Sequence, residues 1–173
     1  AALDPVDADP SAAWRGTAVH AVLEEWARHD GFDPDRLAGR VEQLAADPRT
    51  HPLLRALWVP RLREAVDWIA RQVAAQATSG RSIVAVEGEG SIPLAGVELR
   101  GKFDRIDRLE NGELAVIDYK TGQPPSTRAV REGFSLQLGL LGIMAERGAF
   151  EGIAGTATAF EYWSLAKKGD QFG

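Results

Sequence analysis

Apolar residues in the first part of the chain recur at three- and four-residue steps, the period of a helix with one buried face. Val19, Leu23 and Trp26 show this spacing, and Asp33-Pro34 is typical of an N-cap followed by a helix-starting proline. Pro60 is expected to break or kink the last helix. The pattern predicts helices over approximately residues 11–31, 33–47 and 53–78, after an irregular lead-in over residues 1–11.

After Ser79-Gly80 the apolar residues alternate with polar ones, which indicates strands. Glu110-Asn111-Gly112 is a hairpin signal between two of them. A loop and a helix over residues 128–147 follow the hairpin, and a polar tail over residues 166–173 is expected to be frayed. The predicted strands cover residues 82–88, 92–94, 97–109, 114–120 and 155–163. This order predicts an α/β or α+β fold with a mixed β-sheet flanked by helices.

Size and composition predict one folded domain. The 173 residues are 45% hydrophobic, which suffices for one core but not for two comfortable ones. No window approaches the roughly 18 uninterrupted apolar residues of a membrane-spanning helix. The acidic start lacks the features of a secretory signal, so a cytoplasmic protein is expected. The missing initiator methionine predicts that residues 1–173 are a fragment of a longer protein.

The sequence contains no cysteine. Disulfide bonds, thiolate zinc sites, iron–sulfur clusters held by this chain and cysteine nucleophiles are therefore excluded. The net charge of −5 is unusual for a protein that coats nucleic acid by itself. It does not exclude a nuclease, because carboxylates that hold metal ions add negative charge at the site.

Candidate chemistry is concentrated on either side of the predicted hairpin. Asp118 and Lys120 are two residues apart on a predicted strand, so their side chains project from the same face. The apolar run over residues 115–117 should be buried, and acidic residues are rarely buried without a partner. An acid and an amine on one face are able to hold a divalent metal ion next to a reacting phosphate.

The length of the hairpin loop decides whether Asp104 joins that face. A two-residue turn would point its side chain away from Asp118, whereas a three-residue loop over residues 110–112 places the two aspartates directly opposite each other. A metal site requires the longer loop, because two carboxylates that close repel each other unless a cation lies between them. We therefore predict the three-residue loop, with Gly112 at positive φ.

Other residues are weaker candidates. His20 lies on the first predicted helix, and its imidazole would complete an oxygen-rich site that suits manganese better than calcium. Taken alone, such a histidine is more often a surface or core residue. Glu87 is a candidate for an additional acid near the site, but an exposed carboxylate at a strand end is the favoured interpretation. Lys167 and Lys168 are candidates for a phosphate contact, but a solvated tail is the default.

Three motifs carry a family resemblance. In chain order, GTAVHAVLE, GKFDRID and IDYKTG resemble the motifs of RecB-family nucleases in the PD-(D/E)XK superfamily, over nearly the whole chain. The lead-in, the GTAVHAVLE helix and the EYW near the end are most similar to the C-terminal nuclease domain of AddB in AddAB helicase–nucleases. CRISPR-associated and other RecB-like nucleases are the alternatives. The resemblance implies a restriction-endonuclease-like core with an N-terminal helical segment. It also implies a bacterial DNA nuclease of double-strand break repair, acting with an AddA-type subunit and the rest of its own chain.

The resemblance implies a role for each matching residue. His20, Asp104, Asp118 and the backbone carbonyl of Tyr119 would bind Mg²⁺ or Mn²⁺. Lys120 would orient or activate the attacking water and offset charge on the phosphate. Asp104, Asp118 and Lys120 would thus be the catalytic residues.

The chain departs from the family pattern in two ways. The family often has a Q-x-x-x-Y motif on the following helix, whereas here Gln137 is present and Leu141 replaces the tyrosine. Gln137 is retained as a candidate substrate contact. Many AddB-type domains also carry cysteines for an iron–sulfur cluster, which this chain lacks.

Two other interpretations use the same residues. One is a catalytically inactive nuclease fold that binds DNA or a partner subunit, and it predicts no ion between the two aspartates. The other is an interaction domain with charges on its surface, and it predicts no cleft and separated side chains.

Overall fold

The protein is described by a computed structural model over residues 10–50, 52–122, 124–126, 128, 136–167 and 171–173. Three helices come first: α1 (Pro10–Asp30), α2 (Pro34–Ala46) and α3 (Pro52–Ala77). The strands β1 (Ser82–Leu94), β2 (Val97–Arg108) and β3 (Leu114–Lys120) follow, and then α4 (Gln137–Glu146) and β4 (Ala157–Ser164). None of the described helices is long and apolar enough to cross a membrane.

The four strands form one sheet in the order β1-β2-β3-β4. The first two pairs are antiparallel, whereas β3 and β4 are parallel. A parallel pair needs a crossover connection, and α4 lies within that connection. The predicted mixed sheet flanked by helices is therefore confirmed.

The central strand β3 divides the core into two layers. Side chains from α1, α2 and α3 pack on one face of the sheet, against Ala115 and Ile117. Side chains from α4 pack on the other face, against Leu114 and Val116. Because both faces of β3 are covered, its residues from Leu114 to Tyr119 are all buried.

The predictions of the first three helices hold with one correction, whereas the helix predicted over residues 128–147 is wrong at Leu136, which is not helical and precedes α4. Asp33 caps α2 by accepting a hydrogen bond from the backbone N–H of Asp35 at 3.0 Å, and Pro34 starts the helix, as expected. Pro60, however, lies inside α3 and does not end it. Packing of this helix against α1 and α2 outweighs the lost backbone hydrogen bond, so the predicted break at Pro60 is wrong.

The two strands predicted at residues 82–88 and 92–94 are a single strand, β1. Gly88 and Gly90 do not end the strand. They lie where other residues pack closely against its backbone. A Cβ atom on Gly88 would lie 2.4 Å from the Phe103 ring, and one on Gly90 would lie 2.1 Å from the carbonyl oxygen of Ala149. Glycine is typical of the end of a strand in a sequence, but here it is present because another part of the protein approaches the backbone closely.

Parts of the predicted pattern lie outside the described residues, among them most of the lead-in and the first part of the helix predicted to begin at residue 128. The last described residues contact the rest of the protein. The Phe172 ring lies 5.9 Å from the Trp68 ring, and the backbone N–H of Gly173 donates to the carbonyl of Ser164 at 3.3 Å.

Candidate functional site

The hairpin between β2 and β3 has the predicted three-residue loop. The backbone N–H of Leu109 donates to the carbonyl of Glu113 at 2.8 Å, and Gly112 has a φ of 85°. The β2–β3 register continues from this loop and, extended by one residue, places Asp104 opposite Asp118. Both parts of the loop prediction are therefore confirmed.

A third carboxylate belongs to the same row. The β1–β2 register on both sides of Glu87 places this residue opposite Asp104. Three neighbouring strands thus contribute Glu87, Asp104 and Asp118 side by side. Such a row of like charges is unfavourable unless protons or cations offset it.

The expectation that Glu87 is an exposed strand-end carboxylate is wrong. Its side chain is 2% exposed, lies mid-strand and has a backbone φ of 56°, which is rare for a residue other than glycine. Its Oε1 atom lies 2.5 Å from Nδ1 of His20, and its Oε2 atom lies 2.8 Å from Nζ of Lys102. A sequence signal existed, because residues 83–86 form an apolar run ahead of Glu87, just as residues 115–117 do ahead of Asp118.

His20 reaches this row from α1. Its Nδ1 atom lies 3.8 Å from Oδ1 of Asp104, and ligand atoms of His20, Glu87 and Asp104 all lie within 4.8 Å of one another. The hydrogen bond to Glu87 raises the pKa of His20, although burial opposes the rise. Burial disfavours the charge of Glu87, but hydrogen bonds from His20 and Lys102 outweigh it and lower the pKa of Glu87. A metal ion bound by His20 would therefore have to displace a proton from its imidazole.

Asp104 lies at the centre of the row. Its Oδ2 atom accepts a hydrogen bond from the backbone N–H of Tyr119 at 2.8 Å. Burial, and to a lesser extent the charge of Asp118, raise the pKa of Asp104 to about 6 despite that bond. Without a cation, the fold therefore disfavours the charged form of this side chain.

Asp118 and Lys120 occupy the end of β3. Oδ2 of Asp118 is buried and makes no hydrogen bond, although Nζ of Lys120 lies 2.8 Å away, out of hydrogen-bonding alignment. The same Nζ atom donates to Oε1 of the exposed Gln137 at 3.4 Å. This buried carboxylate oxygen without a hydrogen bond belongs to the same row as Asp104 and Glu87, and a row of carboxylates is a donor set that fits Mg²⁺ or Mn²⁺.

The structure brings together most of the residues singled out from the sequence. Asp118 lies opposite Asp104 but is not a member of the three-residue cluster around His20. The Tyr119 side chain is in the core, with its ring 5.9 Å from that of Trp163, so its backbone is the part that contacts Asp104. Leu141 is 5% exposed and packs in the core, which removes that position as a DNA contact.

Lys167, near the end of the chain, contacts α3. Nζ of Lys167 lies 2.8 Å from Oε2 of Glu64 on α3, so Lys167 is paired with the body of the protein. Lys168 lies outside the described residues.

Asp104→Asn is expected to stabilise the metal-free protein at alkaline pH. The folded-state pKa is about 6 against an ordinary value of 3.8, so ionised Asp104 costs the folded state roughly 2–3 kcal/mol above pH 6. Below the ordinary pKa of 3.8, the side chain is protonated in both the folded and the unfolded state, so this cost vanishes. Asparagine keeps an oxygen acceptor for the Tyr119 N–H. In chelator, the variant should melt several degrees above wild type at pH 8 and at about the same temperature near pH 4.

Glu151→Gln, at an exposed turn residue, is the matched control and should change the melting temperature little at either pH. A melting temperature for Asp104→Asn at pH 8 equal to or below that of wild type would show that Asp104 is not disfavoured as an anion.

The comparison with known protein families agrees with this geometry. The chain matches the PD-(D/E)XK nuclease superfamily over residues 2–171, and members of this superfamily are generally metal-dependent nucleases. A search of curated proteins found no match. The match covers nearly the whole chain and includes the carboxylate row, His20 and Lys120. The chain therefore belongs to the PD-(D/E)XK nuclease superfamily.

Proposed function

We propose that this chain is a metal-dependent deoxyribonuclease that hydrolyses phosphodiester bonds. The observation that carries the proposal is the juxtaposition at the end of β3. There, the buried Oδ2 atom of Asp118 has no hydrogen bond, Asp104 lies opposite, and the ammonium of Lys120 is 2.8 Å away. Most buried polar atoms are hydrogen-bonded, and a bound cation would satisfy this oxygen.

The proposed metal ligands are His20, Asp104, Asp118 and the backbone carbonyl of Tyr119. A divalent ion held by them would polarise the scissile phosphate and lower the pKa of a water molecule. Glu87 is a further carboxylate of the same cluster. Its hydrogen bond to Nδ1 orients the imidazole of His20, and its negative charge adds to the attraction for a cation.

Lys120 and Gln137 are the proposed substrate-side residues. Lys120 is partly exposed, with 30% of its side chain accessible, so a phosphate group is able to reach its ammonium. Its positive charge would offset the negative charge that develops on the phosphate during hydrolysis. Gln137 contacts Nζ of Lys120 and would hold it in position or meet the same phosphate.

The finer assignment follows the three motifs of the sequence. GTAVHAVLE, GKFDRID and IDYKTG support a RecB-like nuclease of the AddB type, acting in double-strand break repair in the bacterial cytoplasm. The net charge of −5 supports the same assignment, because an acidic domain needs help to hold DNA. We propose that an AddA-type motor subunit and the rest of the parent chain deliver the DNA.

The test is cleavage of labelled single-stranded and duplex DNA by the purified chain with Mg²⁺, with Mn²⁺ and with chelator. Cleavage is expected with at least one of the two ions, and chelator should reduce it to background because the carboxylate row then lacks its cation. Mn²⁺ titration by calorimetry provides a second readout that does not depend on turnover. Failure to bind Mn²⁺ and to cleave DNA under any condition would favour an inactive binding module.

A further inference from the structure

Two cavities of the described structure lie beside α3. One encloses about 440 Å³ and is lined in part by Trp58 and Arg61 of α3 and by Thr121, the residue after Lys120. The other encloses about 460 Å³ and is lined in part by Trp68 and Arg71. The two cavities share three lining residues, Glu64, Lys167 and Phe172, so they form one groove that starts next to the catalytic motif. We call it the α3 groove.

The α3 groove contains the same pair of residue types twice. Trp58-Val59-Pro60-Arg61 and Trp68-Ile69-Ala70-Arg71 each place an arginine three residues after a tryptophan. Residues at that spacing are neighbours on one helix face. The two pairs are ten residues apart, which is about 15 Å along a helix. That length spans a few nucleotides of a single strand.

The two tryptophans line the groove, and the Trp68 ring is also supported by the Trp163 ring at 5.1 Å. Trp58 and Trp68 are half-buried and line the two cavities. The guanidinium of Arg61 lies over the Trp58 ring, 4.8 Å from its centroid, which gives a flat cationic surface. Bases of single-stranded nucleic acids stack on aromatic rings and guanidinium planes of this kind.

The charges of the groove differ from those of the chain as a whole. Among the described residues, its lining has three cations, Arg61, Arg71 and Lys167, against two acids, Glu64 and Asp67, whereas the chain carries a net charge of −5. Glu64 is already neutralised by Lys167. Arg61 and Arg71 are exposed and make no ion pair with a carboxylate among the described residues, whereas Arg28, Arg49, Arg63 and Arg100 each do.

We propose that the α3 groove binds a single-stranded segment of DNA and leads it to the metal site, with bases on Trp58 and Trp68 and phosphates near Arg61 and Arg71. This proposal rests on the nuclease function proposed above. A duplex has its bases stacked and paired, so it would have to be opened before its bases could enter the cavities. The groove therefore prefers DNA that is already single-stranded over duplex DNA.

The test measures DNA binding in chelator, where metal-dependent cleavage is off. Fluorescence anisotropy would follow a labelled oligodeoxythymidylate of about 15 nucleotides with the full chain and with R61E/R71E. The double variant is expected to bind at least about tenfold more weakly. Its slope of log affinity against log salt concentration should be smaller by about 1.4, because two phosphate contacts are lost. Trp58→Ala should weaken single-strand binding about fivefold or more and leave duplex binding unchanged.

Arg147→Glu is the matched control. This arginine is exposed and follows α4, which lies on the opposite face of the sheet. Its substitution changes the net charge by the same amount as each of the two substitutions in the groove. It should alter binding less than about twofold. Circular dichroism and melting curves of all variants check the fold.

Three outcomes would overturn the groove proposal: wild type that does not bind the oligonucleotide, R61E/R71E that binds as well as wild type, or an equal loss in Arg147→Glu. A groove filled by another segment of the parent chain, or by a second copy of this chain, would appear as the first of these. Cleavage assays separate the two proposals. Loss of single-strand binding in R61E/R71E supports the groove even if wild type cleaves no DNA, and normal binding by R61E/R71E removes the groove even if cleavage is metal-dependent.

Discussion

Lys120→Ala is expected to lower the rate of DNA cleavage by on the order of 10²–10³-fold or more, with the fold retained. Lys120 supplies a positive charge beside Asp118, where a phosphate would be held, and removing one such group from a preorganised site has an effect of this size. The side chain is partly exposed, so its loss leaves no cavity. The measurement is single-turnover cleavage of labelled DNA in Mn²⁺.

Lys102→Ala is the matched control for this variant. Lys102 also pairs with a buried carboxylate, Glu87, at 2.8 Å, but its side chain is 60% exposed. Loss of such an exposed charge should change the rate by no more than about fivefold. Equal rates for Lys120→Ala and wild type, in preparations with identical melting curves, would remove Lys120 from the catalytic residues. Equal losses in both lysine variants would assign the effect to net charge.

Asp107→Ala is expected to destabilise the protein by roughly 3–5 kcal/mol. Both carboxylate oxygens of Asp107 accept hydrogen bonds from Arg105, Oδ1 at 2.6 Å and Oδ2 from Nη2 at 2.5 Å, and both side chains are almost fully buried. Arginine does not lose its proton in proteins. The variant would therefore leave a buried guanidinium without its carboxylate, supported by the hydroxyl of Tyr119, the side-chain oxygen of Gln76 and the Trp163 ring.

The same change is also expected to reduce cleavage. Arg105 donates to the hydroxyl of Tyr119 at 3.2 Å, and the backbone N–H of Tyr119 holds Asp104. Loosening of this buried pair would therefore move a proposed metal ligand. Glu98→Ala is the control, since Glu98 pairs with Arg100 on the surface at 2.7 Å and should contribute less than about 1 kcal/mol. Urea unfolding measures the free energy of unfolding of both variants. Similar midpoint urea concentrations for the two would contradict the expected difference in stability.

The two aspartates and the lysine of the site could be predicted from local patterns. Strand alternation places Asp118 and Lys120 on one face, and a glycine suited to positive φ at residue 112 selects the loop that brings Asp104 opposite Asp118. Both effects act within the hairpin over a few residues. Local stereochemistry therefore determines them before any long-range contact forms.

Glu87 could not be placed in the same way. Its burial depends on α1 covering β1 and on His20, which is 67 residues away in the sequence. Gly88 and Gly90 follow it and are typical of the end of a strand. In the structure, however, they pack against Phe103 and Ala149. The sequence around a residue does not show partners that come from a distant element, so such a residue is easily interpreted as a surface residue.

The sequence by itself determined the order of helices and strands, the hairpin loop and the face shared by Asp118 and Lys120, because each follows from backbone geometry between near neighbours. Only the tertiary structure decided that α3 continues through Pro60, that Glu87 joins the carboxylate row, and that Trp58 and Trp68 line one groove beside it. These features depend on packing between distant elements, and the free energy of that packing outweighs the local preferences that a sequence pattern records.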